Sequence, residues 1–359
     1  MSGIFGILGV NDTDYVYLNS LGQAVVYDAA NQALADHRAD LAAQMAVFVE
    51  EETENFKERY KLPGGGKLQR MSGQSQAGTV KAYGSWDVAY PLEDFGAQVA
   101  SDRIDFAYAS VQDLNRHLDT VMLQDINTIR FEILKALFNN AADTFTDARH
   151  GSLTIQPLAN GDTVVYSPVM GSETEATEDH YLQSGYTAAN ISDTNDPYVT
   201  IAADLEHHFG MPSGGAPIIT FINGAQRAKT EDLTSFTASG DRYVTPGTQT
   251  AEVILPDLSV PGRTIGRHSS GTWVQEWSWI PENYLLAIWL GAPKPLKRRV
   301  HPLSTGLPRG LTLVSESSIY PFTQAHYEDH FGFGVGNRLN GVVMELGTDG
   351  SYGVPAAYA

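Results

Sequence analysis

A long helical pattern occupies residues 91–151. Apolar residues recur there at spacings of three to four positions or multiples of them, and Gly96 is the one glycine or proline between Pro91 and Gly151. Because this periodicity is typical of an amphipathic helix, it predicts a single helix over Asp102–Asp143, roughly 60 Å long at ~1.5 Å per residue. The alternative is two helices that meet near Gln124-Asp125. The apolar positions are Phe106, Leu114, Leu118, Val121, Ile129, Ile133 and Leu137.

A glycine-rich stretch nearer the N-terminus separates a predicted helix from a predicted strand. Residues Ala29–Tyr60 are rich in Ala, Gln and Glu and contain neither Gly nor Pro, which favours a helix. Apolar and polar residues alternate over Val80–Tyr90, which favours a strand. Between them, Pro63 and the run Gly64–Gly66 oppose a helix. We therefore predict that Arg59–Tyr90 forms a long two-stranded flap.

The remainder of the chain has short apolar runs typical of strands, with helical patterns between them. The flap, the long helix and these runs together predict an α+β protein. Predicted helices are Tyr198–Phe209 and Ala225–Leu233; predicted strands are Leu153–Pro157, Thr163–Tyr166, Pro217–Asn223, Ala251–Leu255, Thr272–Ile280 and Tyr284–Leu290, with further strands from Gly310 onward.

Charged residues are sorted by segment in a chain whose formal net charge is −19. Residues 59–81 carry cations and no acidic residue, residues 151–226 contain no Lys or Arg, and residues 283–315 contain no Asp or Glu. Because complementary charged patches fix the register between protein surfaces, we predict that the cations contact another copy of the chain. The candidates are Arg59, Lys61, Lys67, Arg70 and Lys81 in the flap, and Lys294, Lys297, Arg298 and Arg299 in the later segment.

Composition excludes several classes of protein. The chain has no cysteine, which rules out disulfides and thiolate catalysis. Its apolar N-terminus lacks a basic leader, so we expect no secretion signal, and no window approaches the ~20 apolar residues of a membrane helix. The acidic net charge argues against tight nucleic-acid binding. An acidic net charge does suit the wall of a container for nucleic acid, because an acidic inner surface would not bind the enclosed nucleic acid.

Motifs that would mark an enzyme are incomplete. His326 and His330 are the best metal candidate, but the zinc-protease pattern places a glutamate directly after its first histidine. The glycines of Gly332–Gly336 lack the last glycine of the dinucleotide fingerprint. We therefore predict no catalytic residue, no metal and no cofactor. Four tryptophans are spaced as in a packed sheet rather than a carbohydrate platform: Trp273, Trp277, Trp279 and Trp289.

The order of predicted elements resembles that of the major capsid proteins of tailed bacteriophages. The resemblance covers nearly the whole chain and depends on architecture rather than on a diagnostic motif. The segments that carry it are the flap with its end Trp86–Pro91, the helical stretch Ile129–Phe138, the helix–strand–helix pattern over Ile201–Leu233, and the end Gly332–Arg338.

The resemblance implies a tailed-phage major capsid protein fold and a division of the chain. In that family a flap called the E-loop lies over a neighbouring subunit, a spine helix supports the peripheral domain, and five or six copies meet around the axial domain. The implied parts are an N-terminal arm with a helix (1–58), the E-loop (59–90), a peripheral domain (91–196) with a spine helix at about 102–143, an axial domain (197–309), and return strands of the peripheral domain (310–359).

The function that the resemblance implies is structural and non-enzymatic. The chain would assemble through hexamers and pentamers into the icosahedral head of a tailed double-stranded DNA bacteriophage, in the host bacterial cytoplasm, and would become part of the virion. Its expected partners are copies of itself, a portal, decoration proteins, and packaged DNA that is bound without sequence specificity. We expect no membrane partner. Because the arm begins within about thirty residues of Met1, we expect a separate scaffolding protein or none.

Other hypotheses remain beside the phage head. An encapsulin-type compartment has the same fold, and a monomeric metal-dependent or carbohydrate-active enzyme would have to use His326, His330 or the tryptophans. The acidic region 173–179 is a possible partner of the flap. Some family members join subunits by a lysine–asparagine bond. We favour ordinary loop and turn roles for the residues that such a bond would use, which are Lys67, Lys81, Asn337 and Asn340.

Overall fold

The structure, a computed structural model, describes residues 23–61, 85–102, 110–166, 177–209, 218–238, 260–319 and 322–359. The chain forms two compact units: residues 1–42, 93–129 and 301–330 belong to the first unit, and residues 43–92, 130–300 and 331–359 to the second unit. The helices are α1 (Gln23–Met45), α2 (Val111–Phe138), α3 (Pro197–Phe209) and α4 (Arg227–Glu231). The strands are β1 (Val49–Thr53), β2 (Lys57–Lys61), β3 (Ser85–Ala89), β4 (Glu93–Asp102), β5 (Asp143–Asp147), β6 (Gly151–Ile155), β7 (Tyr181–Gln183), β8 (Ile218–Ile222), β9 (Phe236–Ala238), β10 (Arg263–His268), β11 (Thr272–Glu276), β12 (Tyr284–Trp289), β13 (Leu296–Arg299), β14 (Thr312–Ile319), β15 (Phe322–Val335) and β16 (Val342–Glu345).

The first unit packs two helices against strands. β14 pairs antiparallel with the N-terminal part of β15, and β4 also pairs with β15. A buried hydrogen bond joins the helices, because His37 Nε2 of α1 lies 2.8 Å from Asp125 Oδ2 of α2. The apolar core of the unit consists of Ala30, Leu34, Leu118, Val121, Leu311, Leu313 and Tyr327.

Helix α1 is shorter than the predicted helix over Ala29–Tyr60, because it ends at Met45 and the chain continues as β1 and β2. Two properties of the sequence explain the error. Val47, Phe48 and Val49 have strand propensity, and Glu50 and Glu54 would repel each other at i and i+4 in a helix. Strand pairing with β13, which carries the opposite charge, decides the conformation.

Helix α2 confirms the prediction of one long helix, since it runs without a break through Gln124-Asp125. Its 28 residues span about 40 Å, less than predicted from Asp102–Asp143. The start is fixed by a capping box: Ser110 Oγ accepts from the Asp113 backbone N–H (3.3 Å), and Asp113 Oδ2 accepts from the Ser110 N–H (3.1 Å). Asp102 is the last residue of β4 and Asp143 the first of β5.

The second unit contains a seven-stranded mixed sheet in the order β7-β16-β12-β8-β11-β10-β9. Its central strand β8 is apolar apart from Thr220 and buried at every position, as expected for a strand covered on both faces. Helix α3 packs on one face through Tyr198, Ile201 and Leu205. On the other face Phe221 contacts Phe48, with ring centroids 5.2 Å apart.

Most other predictions of single elements hold. Helix α3 and strands β6, β8 and β12 lie close to the predicted ranges. The predicted strand Thr272–Ile280 ends at Glu276, and Thr163–Tyr166 is not a strand. The predicted strand Ala251–Leu255 lies outside the described residues. No helix in the described part of the chain has the length and apolar character needed to cross a bilayer.

Candidate functional surface

The base of the predicted flap is an antiparallel hairpin formed by β2 and β3, whose ends pair as Lys57 with Ala89 and Lys61 with Ser85. Residues 62–84 connect the two strands, and the predicted contact residues Lys67, Arg70 and Lys81 fall outside the described part of the chain. The hairpin is anchored by a core cluster in the second unit: Trp86, Val88, Tyr90, Ala159, Tyr166 and Leu339.

Asp87 holds the cations of the hairpin in register. Arg59 donates to it from Nε (2.6 Å) and from a terminal nitrogen (3.0 Å), and Lys57 Nζ lies 2.7 Å from Oδ2. The hydrogen bonds from Arg59, and then from Lys57, hold the pKa of Asp87 far below its usual range. The Arg59 side chain is nevertheless 65% exposed, so its outer face is open.

The later basic segment has partners within its own chain. β13 lies parallel to β1, and the register places Glu51 opposite Lys297 and Glu52 opposite Arg298. Lys297 Nζ lies 2.6 Å from Glu51 Oε1, and an Arg298 terminal nitrogen lies 3.3 Å from Glu52 Oε1. The acid-rich strand that sequence periodicity assigned to a helix therefore neutralises the basic strand.

Arg298 and Arg299 are buried within the subunit. Arg299 lies 2.9 Å from Asp147 Oδ2 and donates to the Tyr90 carbonyl at 2.8 Å. The Arg298 guanidinium lies over the Phe331 ring, 5.1 Å from its centroid. Because a buried charge is costly unless it is paired and hydrogen-bonded, loss of these partners would destabilise the second unit.

Lys294 and Lys297 are likewise engaged within the chain. Lys294 donates from Nζ to the Leu290 carbonyl at 3.0 Å, and burial lowers the pKa of its ammonium. Lys297 bridges Glu51 and Glu58, and its ammonium lies over the Tyr60 ring, 5.6 Å from the centroid. An inter-subunit role stays a prediction both for the flap cations and for the cations of the later segment, Lys294, Lys297, Arg298 and Arg299.

Glu58 is the polar centre of this region. It accepts hydrogen bonds from Lys297 Nζ (3.0 Å), Asn55 Nδ2 (3.1 Å), the Tyr60 hydroxyl (2.9 Å) and the Tyr90 hydroxyl (3.1 Å). Burial raises the pKa of Glu58, but the hydrogen bonds from Lys297, Asn55 and Tyr60 outweigh it and lower the pKa to about 2. The carboxylate is thus held in its charged form.

Acid should weaken the second unit through Glu58. Because its pKa falls from 4.5 to about 2 on folding, its stabilising effect is complete above pH ~4.5 and is lost as the pH approaches 2. We expect the difference in unfolding free energy between the wild type and Glu58→Gln to shrink by up to about 3 kcal/mol over that range. Urea unfolding of the unassembled chain from pH 7 downward measures it.

The matched control for this measurement is Glu282→Gln, at an exposed glutamate of the same unit. Its difference from the wild type should stay nearly constant with pH. If Glu58→Gln gave the same flat profile, the hydrogen-bonded carboxylate would not be the acid-sensitive group.

The tryptophans and glycines that were considered as enzyme motifs have packing roles. Trp277 stacks on Phe48 at 5.8 Å between centroids and contacts Phe221 at 5.6 Å. Trp273 and Trp289 are also buried, on β11 and β12, which confirms the predicted packing role for these three tryptophans; Trp279 is half-buried in a turn. Gly332 and Gly334 let β15 approach the backbone of residues 89–91, because a Cβ at Gly332 would overlap the Pro91 carbonyl oxygen. The glycine pattern is therefore explained by close packing.

The histidines at positions 326 and 330 do not share a helix, because both lie on β15. The structure instead brings His330 together with Asp94 and His301 in the first unit. His330 Nδ1 lies 2.7 Å from Asp94 Oδ1, and the two imidazole rings are 5.0 Å apart at 64°. Sequence reasoning missed this group, since no local spacing links residues so far apart in the chain.

Exposed apolar side chains were also missed. In the first unit Leu303 is 71% exposed, and Leu307 and Leu123 are exposed as well. In the second unit Val199 on α3 is exposed although its neighbours Tyr198 and Ile201 are buried. Helical periodicity could have predicted the exposure of Val199, because this residue lies off the buried stripe of α3. No comparable signal exists around Leu303, which begins a single 3-10 turn, Leu303–Thr305.

Comparison with known proteins gives matches at the level of structure. No family model and no curated protein matches the sequence. A chain from Mycobacterium phage Patience aligns with a TM-score of 0.67 and 19% identity over 96% of this chain and 93% of that chain.

Two chains from phage capsids also align with this protein. One is from the capsid of the cyanophage P-SCSP1u, with a TM-score of 0.51 and 11% identity over 83% of this chain and 86% of that chain. The other is from the mature capsid of bacteriophage PhiM1, with a TM-score of 0.51 and 8% identity over 84% of this chain and 86% of that chain. The protein therefore has the α+β fold of phage capsid chains, as its sequence predicted.

Proposed function

We propose that this chain is the major capsid protein of a tailed double-stranded DNA bacteriophage, with a structural and non-enzymatic role. It assembles through hexamers and pentamers into an icosahedral head that encloses the genome and becomes part of the virion. The observation that carries the proposal is the likeness to two phage capsid chains, each over more than four fifths of this chain. A fold shared over that length supports a shared structural role.

The elements of the structure support a division of the subunit into an arm, an E-loop, a peripheral domain and an axial domain. Residues 1–58 form the arm and 59–90 the E-loop, since β2 leaves and β3 returns at its base. Residues 91–196, with α2 as the spine helix, and 310–359 form the peripheral domain. Residues 197–309 form the axial domain, to which α3 and most strands of the seven-stranded sheet belong.

Two charged regions then have different roles in the shell. The β13 cations stabilise the subunit itself, because their partners Glu51, Glu52 and Asp147 lie in the same chain. The flap cations Lys67, Arg70 and Lys81 contact an acidic surface of the neighbouring subunit. Neighbours also cover exposed apolar side chains such as Leu303, and the repetition of small contacts around the shell closes it.

Expression of the chain alone tests the proposal. We expect negative-stain electron microscopy to show closed shells or five- and six-fold rings, with matching large species in size-exclusion chromatography. If a separate scaffolding protein is needed, its co-expression should convert monomers into shells. A chain that stays monomeric under both conditions would contradict the proposal, and shells that co-purify with a specific cargo protein would favour the encapsulin-type compartment.

A further inference from the structure

Asp94, His301 and His330 form a compact group of possible metal ligands in the first unit. One ligand atom from each lies within 4.8 Å of the others. Asp94 is in β4, His301 follows β13, and His330 is in β15, so three separate segments of the chain meet here. His301 is buried and the His330 side chain nearly so, whereas the Asp94 side chain is 78% exposed.

Both histidines are fixed by contacts outside the group. His330 places Nδ1 toward Asp94 and Nε2 toward Glu328, whose Oε2 lies 3.4 Å away. A histidine that binds a metal through one ring nitrogen commonly donates from the other to a carboxylate, which sets its tautomer and orientation. The His301 carbonyl accepts from Arg309 Nε (3.1 Å) and from an Arg309 terminal nitrogen (3.0 Å), which fixes the backbone of that residue.

We propose that Asp94, His301 and His330 bind one divalent ion of the zinc class, with water at the fourth position. Two imidazoles and one carboxylate are a donor set that suits zinc. Around an ion with ligands at about 2.0–2.1 Å, tetrahedral donor atoms lie about 3.3 Å apart. To reach this geometry on ion binding, the 2.7 Å distance between His330 Nδ1 and Asp94 Oδ1 would lengthen slightly. Any distance near the 4.8 Å limit among the three ligand atoms would shorten. The exposed Asp94 makes this movement and gives the ion a path of entry.

The ion would act as a cross-link rather than as a catalyst. It would tie β4, the segment at His301 and β15 together within the first unit, so its binding would raise the stability of the folded chain. This proposal does not depend on shell formation, because all three ligands come from one chain. It is tested on the unassembled protein.

The test uses the full-length chain, freed of any affinity tag and stripped with a chelator. Titration with Co²⁺ should give the visible absorption bands of a tetrahedral site at one ion per chain, and Zn²⁺ should displace it. We expect Asp94→Asn and His330→Asn to weaken binding at least about 100-fold, and Glu328→Gln about 10-fold. Zn²⁺ should raise the melting temperature of the wild type but not of Asp94→Asn.

His326→Asn is the matched control, since His326 lies four residues earlier on the same strand and is outside the group. It should bind like the wild type. Two results would overturn the proposal: binding well below one ion per chain in the wild type, or wild-type affinity in both Asp94→Asn and His330→Asn. Because Asp94 is exposed, its variant stays folded, which circular dichroism verifies.

Discussion

A chain with Lys67, Arg70 and Lys81 changed to glutamate is expected to remain folded and to form no shells. The three substitutions each change +1 to −1, which takes the formal net charge from −19 to −25. A flap that met an acidic neighbour would then be repelled by it, and juxtaposed like charges oppose docking strongly. Under the proposed function every subunit would repeat the contact, so the loss of binding energy would be multiplied around the shell.

The subunit itself should tolerate these changes, because the flap base depends on other residues. Trp86, Val88 and Tyr90 pack in the second unit, and Arg59 and Lys57 hold Asp87. Arg59 is left unchanged for this reason, since a glutamate at that position would face Asp87 and disturb the hairpin. Circular dichroism and urea unfolding of the unassembled variant should match the wild type.

The matched control carries the same change in net charge at exposed cations away from the flap, namely Arg149, Lys229 and Arg263. Electron microscopy of both variants separates the explanations. Normal shells from the flap variant would refute the inter-subunit role of its cations. An equal loss of shells in the control would assign the effect to overall charge.

Local patterns in the sequence were sufficient to predict an element where the buried side chains of that element follow a regular spacing or run. The period of apolar residues predicted α2 as a single helix, because Leu118, Val121 and Ile129 all face a core. The uninterrupted apolar character of Ile218–Ile222 predicted a strand covered on both faces. The likeness to capsid chains follows from the order of such elements.

Patterns failed where the partner of a segment is far away in the chain. Nothing near Glu51 and Glu52 reveals that β13 will lie beside them, and the helix was therefore predicted to continue. The same long-range pairing gives Lys297 and Arg298 partners within their own chain. Charge sorting was a correct observation about the sequence, but only the register of the strands distinguishes contacts within a chain from contacts between chains.

Arg338 is the residue whose loss should destabilise the subunit most. Its side chain is fully buried and donates to the Pro157 carbonyl (2.8 Å), the Leu158 carbonyl (3.1 Å) and Asn160 Oδ1 (3.1 Å). A terminal nitrogen also lies 2.9 Å from Asp162 Oδ2. This guanidinium therefore holds residues 157–162 against the turn that follows β15.

Arg338→Met should lower the unfolding free energy by about 3–5 kcal/mol, because methionine fills the space but leaves the acceptors without donors. Arg338→Lys should have an intermediate effect, since an ammonium cannot reproduce the planar fork. Urea unfolding of the unassembled chain measures both variants. Arg263→Met, at an exposed arginine of the same unit, should change stability by no more than about 0.5 kcal/mol. If Arg338→Met behaved like that control, the network around Arg338 would contribute packing alone.

A loss of about 3–5 kcal/mol would be a large part of the roughly 5–15 kcal/mol of unfolding free energy that is typical of a folded domain. Shells of the Arg338→Met variant should therefore fail to form, because too few subunits would be folded.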